Sequence, residues 1–291
     1  MGESTTFESP VLSIEKDGHV ATLWLDRPEA RNAMGNDLWR DLPLAMAALE
    51  DDNAIRVVII AAKGPHFTVG LDLKAMGGLL MGAGDDSADA TDSNPKAGPA
   101  SAAVKARGTR KSVLHLQDSV TAVEHCAKPV IAAVHGYCIG GGVDLIAACD
   151  IRLASADAIF SVREAKVAIV ADLGSLQRLP RIINAGHLAE LAFTGKDIDA
   201  DRAREIGLIN DVAPDQNALY KAAHDLALEI AANSPIAVQG TKAVLAANDG
   251  RTVAEGLEYV ATWNAGHLAS DDLIEAMTAF MERRPPNFTG R

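Results

Sequence analysis

The sequence predicts an α/β fold with a largely parallel sheet, completed by a helical C-terminal region. Apolar, β-rich runs recur through the first half of the 291 residues, and segments with helical spacing lie between them. Strands that alternate with helices in this way are typical of parallel pairing. After about residue 185 the helical stretches follow one another directly. We therefore expect a core over residues 1–205 and a helical region over residues 206–291.

The elements of the core can be assigned in order from their periodicity. Residues 19–26 alternate like a strand, and residues 36–52 have helical spacing after a possible N-cap at Asn36. Residues 55–62 form a continuous β-rich run, which predicts a strand buried on both faces. The same reasoning then assigns a helix to 113–127, a strand to 129–134 and a strand to 150–155.

One segment interrupts this alternation. Residues 77–108 are rich in Gly, Ala, Ser and Asp and have no steady period. This composition predicts a mobile surface insertion, with a lid over a nearby site as the alternative.

The C-terminal region is apolar enough that it must pack on its own core or on a partner subunit. Its helical stretches are separated by Gly, Pro, Asp and Asn signals. They are predicted over residues 217–234, 235–249, 252–270 and 271–284.

The charge balance limits the kinds of partner. Lys and Arg number 27 against 39 Asp and Glu, which gives a net charge of −12. Nucleic acids and anionic membrane surfaces need a concentrated basic face, so neither is expected as a partner. An anionic small molecule is still possible because local cations and helix N-termini can hold one. The apolar runs are too short to span a bilayer.

The cysteines and the N-terminus bear on the compartment. Cys126, Cys138 and Cys149 are odd in number and lie in apolar segments, so buried thiols are expected rather than disulfides or metal ligands. The start MGESTTFESP contains no apolar segment and no Arg-rich amphipathic helix. These observations predict a cytoplasmic protein.

Two glycine-containing loops each follow a buried strand. In the first, Gly70 lets the backbone turn so that the amide of Leu71 can face a ligand, although a plain turn is the better interpretation of this loop alone. In the second, the glycines at 140–142 precede a helix beginning at about Gly142. The spacing matches neither a phosphate-binding P-loop nor a dinucleotide fingerprint. Together the loops predict two backbone N–H donors facing one carbonyl, which is an oxyanion hole.

Three acids lie in or beside apolar segments after these loops. Asp144 has an ordinary alternative as a helix N-terminal residue, Glu164 as a solvated loop acid, and Asp172 as the N-cap of a helix starting near Gly174. An ionised carboxylate is costly to bury, so a cluster of three is more typical of a functional site.

These motifs resemble the crotonase (enoyl-CoA hydratase/isomerase) superfamily over nearly the whole chain. The resemblance rests on the segments LDRPEARNAM, FTVGLDL, KPVIAAVHGYCIGGGVDLIAACDIRLAS, FSVREAKVAIVADLGSLQRLP and AFMERRPPNF. It implies a crotonase-like spiral of ββα units and a helical C-terminal region used for trimerisation. It also implies self-association as a trimer or a dimer of trimers.

The resemblance further implies that the substrate is an acyl-CoA thioester and that neither a cofactor nor a metal is used. The oxyanion hole would fall on the amides of Leu71 and Gly141. Arg284 is a further phosphate-contact candidate in the tail. The implied CoA-binding residues are Arg31, Ala33, Leu71, Asp72, Leu73, Lys74 and Arg283.

Within the superfamily, the acids at 144, 164 and 172 are similar to those of the Δ3,5-Δ2,4-dienoyl-CoA isomerases. This similarity implies that Glu164 exchanges a proton at C2 of the acyl chain, that Asp172 does so at C6, and that Asp144 orients or tunes the pair. A 2-enoyl-CoA hydratase, in which Asp144 and Glu164 would activate water, is one alternative. A non-catalytic binding protein of the same fold is the other, and the acidic charge argues against an RNA-binding version.

Overall fold

The computed structural model describes residues 7–75 and 101–291. Its larger sheet has six strands in the order β1-β2-β3-β4-β6-β9, in which β1 and β2 are antiparallel and the other neighbours are parallel. The smaller sheet has the order β5-β7-β8. The strands are β1 (Leu12–Asp17), β2 (Val20–Leu25), β3 (Val57–Ala62), β4 (Val130–Val134), β5 (Tyr137–Ile139), β6 (Ile151–Ser155), β7 (Ile159–Ser161), β8 (Ile198–Asp199) and β9 (Asp211–Ala213).

The chain advances as a spiral because successive units place one strand in each sheet. β4 in the larger sheet is followed after two residues by β5 in the smaller sheet, and β6 is followed after three residues by β7. An isolated bridge from Thr68 to Cys138 extends this pattern to the segment after β3. The predicted spiral of ββα units is thus confirmed.

Apart from α2, which begins before the expected residue 113, the helices predicted from periodicity have boundaries close to those observed, and the last four helices form the predicted C-terminal helical region. They are α1 (Asn36–Asp51), α2 (Ala102–His125), α3 (Gly141–Ala147), α4 (Ser175–Arg178), α5 (Ala185–Thr194), α6 (Ala200–Glu205), α7 (Gln216–Ala231), α8 (Pro235–Ala247), α9 (Val253–His267) and α10 (Asp271–Glu282). Among the described residues no helix combines the length and apolar character needed to cross a membrane.

The centre of the larger sheet is buried on both faces, as the continuous apolar run of β3 predicted. Every residue of β3 is buried, and its side chains alternate between two apolar clusters. Ile60 faces the larger cluster with α1 and α2, whereas Ile59 faces α7 through residues such as Leu219 and Ala223. The first C-terminal helix therefore completes the core.

Three local expectations need correction. The N-cap of α1 is Gly35 rather than Asn36, and no side chain caps this helix. Residues 102–108 are helical, because Ser101 caps α2 by accepting a hydrogen bond from the Val104 amide at 3.3 Å. The expected insertion therefore does not extend to residue 108, and its remaining part before residue 101 lies outside the described residues. The edge strand β9 lies within the region expected to be helical.

Candidate active site

The two glycine-containing loops lie against each other. The amide of Ile139 donates to the carbonyl of Thr68 at 3.2 Å, which pairs the two segments. Gly70 has φ of +87°, and a Cβ at this position would lie 2.8 Å from the carbonyl oxygen of Ile139. Glycine is therefore needed at position 70 both for the backbone turn and for the close approach of the loops.

This contact places Leu71 and Gly141 on the wall of one cavity. The Leu71 peptide is held by its neighbours, since Met34 donates to the Gly70 carbonyl at 2.8 Å and Asp72 donates to the Met34 carbonyl at 3.0 Å. Gly141 is the first residue of α3, where backbone amides are left without helical partners. Within the described residues neither the Leu71 amide nor the Gly141 amide has a hydrogen-bond acceptor. Both N–H groups are thus available to a developing oxyanion.

The cavity has a volume of about 300 Å³ and a largely apolar lining. All three predicted acids lie on its wall. A wider cavity of about 590 Å³ between α8, α9 and α10 contains none of them. The apolar lining includes Trp39, Val69, Leu71, Leu73, Val113, Leu116, Ile139, Val167, Ile169 and Leu173.

Asp144 is the most deeply buried of the acids, with 1% of its surface exposed. Its Oδ1 accepts a hydrogen bond from the amide of Ser175 at 2.5 Å, at the start of α4. Burial raises the pKa of Asp144 to about 6, and the bonds from Ser175 partly oppose this rise. The ordinary interpretation of Asp144 is therefore partly correct. Asp144 lies in the first turn of α3, as that interpretation expects, but its carboxylate accepts from the first turn of α4.

Glu164 begins a 3-10 turn, Glu164–Val167, and it lines the cavity. A Cβ on Gly140 would lie 3.1 Å from Glu164 Oε1, and Oε2 is buried with no hydrogen-bond partner among the described residues. Burial, with a smaller contribution from the charge of Asp144, raises the pKa of Glu164 to about 7. The neighbouring Arg163 does not pair with Glu164, because its guanidinium pairs with Asp197. The interpretation of Glu164 as a solvated loop acid is wrong.

Asp172 lies on an irregular segment between the 3-10 turn and α4. It is half-buried, and burial raises the pKa of its carboxyl group. The N-cap of α4 is Gly174, with φ of +124°, so the N-cap interpretation of Asp172 is wrong. Among the described residues no other side chain bonds the Asp172 carboxylate, which leaves this group free to act on a ligand.

The predicted CoA-binding residues are only partly brought together. Leu71 and Leu73 line the cavity. Arg31 and Ala33 lie in the segment that pairs with residues 69–72, through the bond from Val69 to the Arg31 carbonyl at 3.3 Å. This places them beside the first loop but not on the cavity wall.

Among the charged residues predicted to bind CoA or its phosphates, two have side chains engaged elsewhere, Asp72 and the tail residue Arg284. Asp72 pairs with Arg27 at 3.0 Å and accepts from the amide of Lys74 at 3.2 Å. Arg283 is exposed at the end of α10 and is not on the cavity wall of its own chain. The guanidinium of the other tail candidate, Arg284, is bonded to Glu275 at 2.6 and 2.9 Å and to Glu282 at 2.7 Å. This arginine is therefore not free for a phosphate in the structure described.

Sequence reasoning missed residues that shape the site indirectly. The side chain of Asn32, which is 4% exposed, donates to the carbonyls of Lys63 and His66 at 2.9 Å each. The Thr68 hydroxyl donates to the Asn32 carbonyl at 2.6 Å. These buried polar contacts fix the first loop. Their only sequence signal is a polar residue beside a glycine turn, which is weak.

Comparison with known proteins finds relatives that carry the names of acyl-CoA hydratases or isomerases. The profile of the enoyl-CoA hydratase/isomerase family matches residues 15–95 and 100–291. The chain is 43% identical to the mitochondrial Delta(3,5)-Delta(2,4)-dienoyl-CoA isomerase of Dictyostelium discoideum, over 95% of this chain and 90% of the relative. It is 41% identical to the peroxisomal enzyme of that name from Arabidopsis thaliana, over 94% and 93%. The crystal structure of an enoyl-CoA hydratase from Bacillus anthracis superposes with a TM-score of 0.83 at 30% identity, covering 97% of this chain and all of that one.

These relatives correct the predicted cytoplasmic location. The proteins from Dictyostelium discoideum and Rattus norvegicus are named mitochondrial, and the one from Arabidopsis thaliana is named peroxisomal. The three cysteines are free and buried, as expected. Buried thiols and an acidic composition are compatible with several compartments, so they did not justify the choice of the cytoplasm.

Proposed function

The chain belongs to the enoyl-CoA hydratase/isomerase family, and from this premise we propose that it converts 3,5-dienoyl-CoA thioesters into 2,4-dienoyl-CoA thioesters. The observation that carries the proposal is the position of Asp172 on the same cavity wall as Glu164 and the two free amides. The names of the relatives at 43% and 41% identity support it.

The first step is removal of a proton from C2. The ionised Glu164 accepts this proton, and the electron pair of the C2–H bond delocalises over C2, C4, C6 and the thioester oxygen. The amides of Leu71 and Gly141 donate to that oxygen and stabilise its charge. Loss of one such donor typically lowers the rate by about 10²–10³-fold.

The second step is return of a proton at C6. Asp172 starts protonated and donates to C6, so the double bonds move from C3 and C5 to C2 and C4. No water or other reactant is consumed. After turnover Glu164 holds the proton and Asp172 is ionised, so one proton must pass between these carboxyls before the next cycle.

Asp144 is proposed to tune the other two acids and not to touch the acyl chain. Its Oδ1 is committed to the Ser175 amide, and the side chain is almost fully buried. A hydratase needs a second carboxylate that can bind a water molecule beside Glu164, and this commitment argues against Asp144 in that role. Hydration nevertheless is the main alternative, because the Bacillus anthracis structure carries the name of a hydratase.

Two assays run side by side test the proposal. A 2,4-dienoyl product is conjugated with the thioester carbonyl, so isomerisation of 3,5-dienoyl-CoA shifts the ultraviolet absorbance of the substrate. Hydration of a 2-enoyl-CoA removes such conjugation and yields a 3-hydroxyacyl-CoA. We expect rapid isomerisation and slow or no hydration. Efficient hydration without isomerisation would reject the proposal.

The pH dependence of the reaction follows from the three-carboxyl cluster. One carboxyl must be ionised and another protonated, so we expect a bell-shaped profile of kcat/KM. The alkaline arm should lie near pH about 7 and the acidic arm at a lower pH, and both belong to the cluster rather than to single residues.

The variant Asp144→Asn checks this origin. The amide oxygen can still accept from Ser175, but the charge that raises the pKa of Glu164 is removed. The alkaline arm should therefore move to lower pH. An alkaline arm that stays in place would contradict the coupling.

The exposed apolar face of the C-terminal helices supports self-association as a trimer or a dimer of trimers. On α10, Ile274, Met277 and Phe280 are exposed by 66%, 61% and 86%. Single exposed apolar residues are common, but a contiguous group marks an interaction surface. Light scattering on the purified protein should give the mass of three or six copies.

A further inference from the structure

The segment that carries Asp172 has few bonds of its own. Within the described residues, residues 170–173 take part in no backbone–backbone hydrogen bond, although Ile169 before them is bonded to Glu164 at 3.1 Å. A buried backbone group needs a partner, so side chains must satisfy this segment. The position of the Asp172 carboxylate therefore depends on which side chains hold the segment.

Gln117 of α2 holds the segment at Asp172 itself. Its Nε2 donates to the carbonyl oxygen of Asp172 at 2.6 Å, and the side chain is partly buried. A bond to the backbone of a residue fixes its Cα and hence the direction in which its side chain leaves the chain. Gln117 does not line the cavity, so it does not touch the acyl chain.

Arg178 holds the segment one residue later. Its Nη1 donates to the carbonyl of Leu173 at 3.1 Å, and its side chain is only 11% exposed. A Cβ on Gly174 would lie 1.7 Å from the same Nη1, so the guanidinium occupies the space that only glycine leaves open.

Arg178 is itself held by α2, the helix that carries Gln117. Arg178 donates to Glu124 at 2.8 Å and to the hydroxyl of Thr121 at 3.1 Å. Residues 117, 121 and 124 recur at helical spacing, so they lie along one face of α2. The same helix contributes Val113 and Leu116 to the cavity wall. One rigid helix thus carries both the acyl wall and the supports of Asp172.

We propose that this polar face of α2 is a clamp, in which Gln117 directly and Arg178 through Thr121 and Glu124 position Asp172 for proton transfer at C6. The inference rests on the isomerase function proposed above and assigns positioning residues for it. A displacement of about 1 Å at a reacting group can lower the rate by about 10²-fold. Support of this kind therefore has a kinetic effect even though the supporting residues never contact substrate.

The variant Gln117→Met tests the clamp, because it keeps the length of the side chain and removes the donor. We expect kcat for 3,5-dienoyl-CoA to fall by about 10- to 100-fold with little change in KM. The matched control is Asp118→Ala, an exposed neighbour on the same helix that makes none of these contacts. If Gln117→Met does not accumulate as folded protein, Gln117→Asn gives the same test, since its amide is one methylene shorter.

A double-variant cycle separates positioning from general damage. In the Asp172→Asn background, Gln117→Met should cause no further loss of turnover, because Gln117 acts through Asp172. A similar loss in both backgrounds would overturn the inference, as would a Gln117→Met enzyme within about twofold of wild-type kcat. A wild-type protein that does not isomerise 3,5-dienoyl-CoA would instead reject the proposed function, and the clamp as an isomerase device with it.

Discussion

Replacement of Asp172 by asparagine is expected to lower turnover of 3,5-dienoyl-CoA by about 10²–10⁴-fold, the usual contribution of a positioned acid–base group. Asparagine keeps the size of the side chain and the backbone carbonyl that Gln117 binds. It cannot hold the proton that the reaction needs at C6. Because the charge of Asp172 also raises the pKa of Asp144 and of Glu164, its removal should not destabilise the fold. Steady-state absorbance assays and a thermal melt measure the two effects.

The specificity of this result depends on two further measurements. Asp118→Asn removes an exposed acid from α2 and should leave turnover unchanged. Proton exchange at C2 in deuterated water should persist in Asp172→Asn, since Glu164 is still present. Unchanged isomerisation in Asp172→Asn would remove the basis for distinguishing this chain from a hydratase.

Replacement of Glu164 by glutamine is expected to lower turnover by a similar factor of about 10²–10⁴. The loss should differ in kind, because exchange at C2 should disappear together with product formation. Glu164→Gln retains a side chain that fits beside Gly140, where Oε1 now lies. Glu229→Gln, an exposed position on α7, is the matched control. A variant that still exchanges C2 protons at the wild-type rate would contradict the assignment of Glu164 to the C2 end.

The same substitution should make the protein more stable at alkaline pH. The pKa of Glu164 is raised from 4.5 to about 7, so between these values the folded chain retains a proton that the unfolded chain has released. The free energy of unfolding of the wild type therefore falls as pH rises through this window. Glutamine does not titrate, so its advantage should grow from near zero below pH 4.5 to about 1–3 kcal/mol above pH 7.

Denaturant unfolding at several pH values measures this advantage. An advantage that does not change with pH would mean that folding does not raise the pKa of Glu164. A gain in stability together with a loss of activity is typical of a residue retained for its chemistry.

Several features of the molecule were predictable from local sequence. The continuous apolar run of β3 predicted a strand buried on both faces, and all six of its residues are buried. The glycine turns before Leu71 and Gly141 predicted free amides, and three acids in apolar surroundings predicted a cluster. Such features can be predicted locally because periodicity, glycine conformations and the cost of burying charge act within a few residues.

Other local patterns were misleading because contacts from outside the local segment decide the structure there. The composition of residues 102–108 indicated an insertion, but they form the exposed first turns of α2, which is capped at Ser101. Asp172 had the spacing of an N-cap, whereas Gly174 holds that position. Tertiary contacts override weak local preferences of this kind.

The sequence by itself determined the fold class, and it indicated the two glycine-containing loops and the three acids as candidates for the site. Only the tertiary structure decided which contacts each acid makes, because these contacts join residues far apart in the chain. Asp144 meets the Ser175 amide across 31 positions, and Gln117 meets Asp172 across 55. Such pairs depend on where α2 and α4 pack, and packing depends on the whole core rather than on any local pattern.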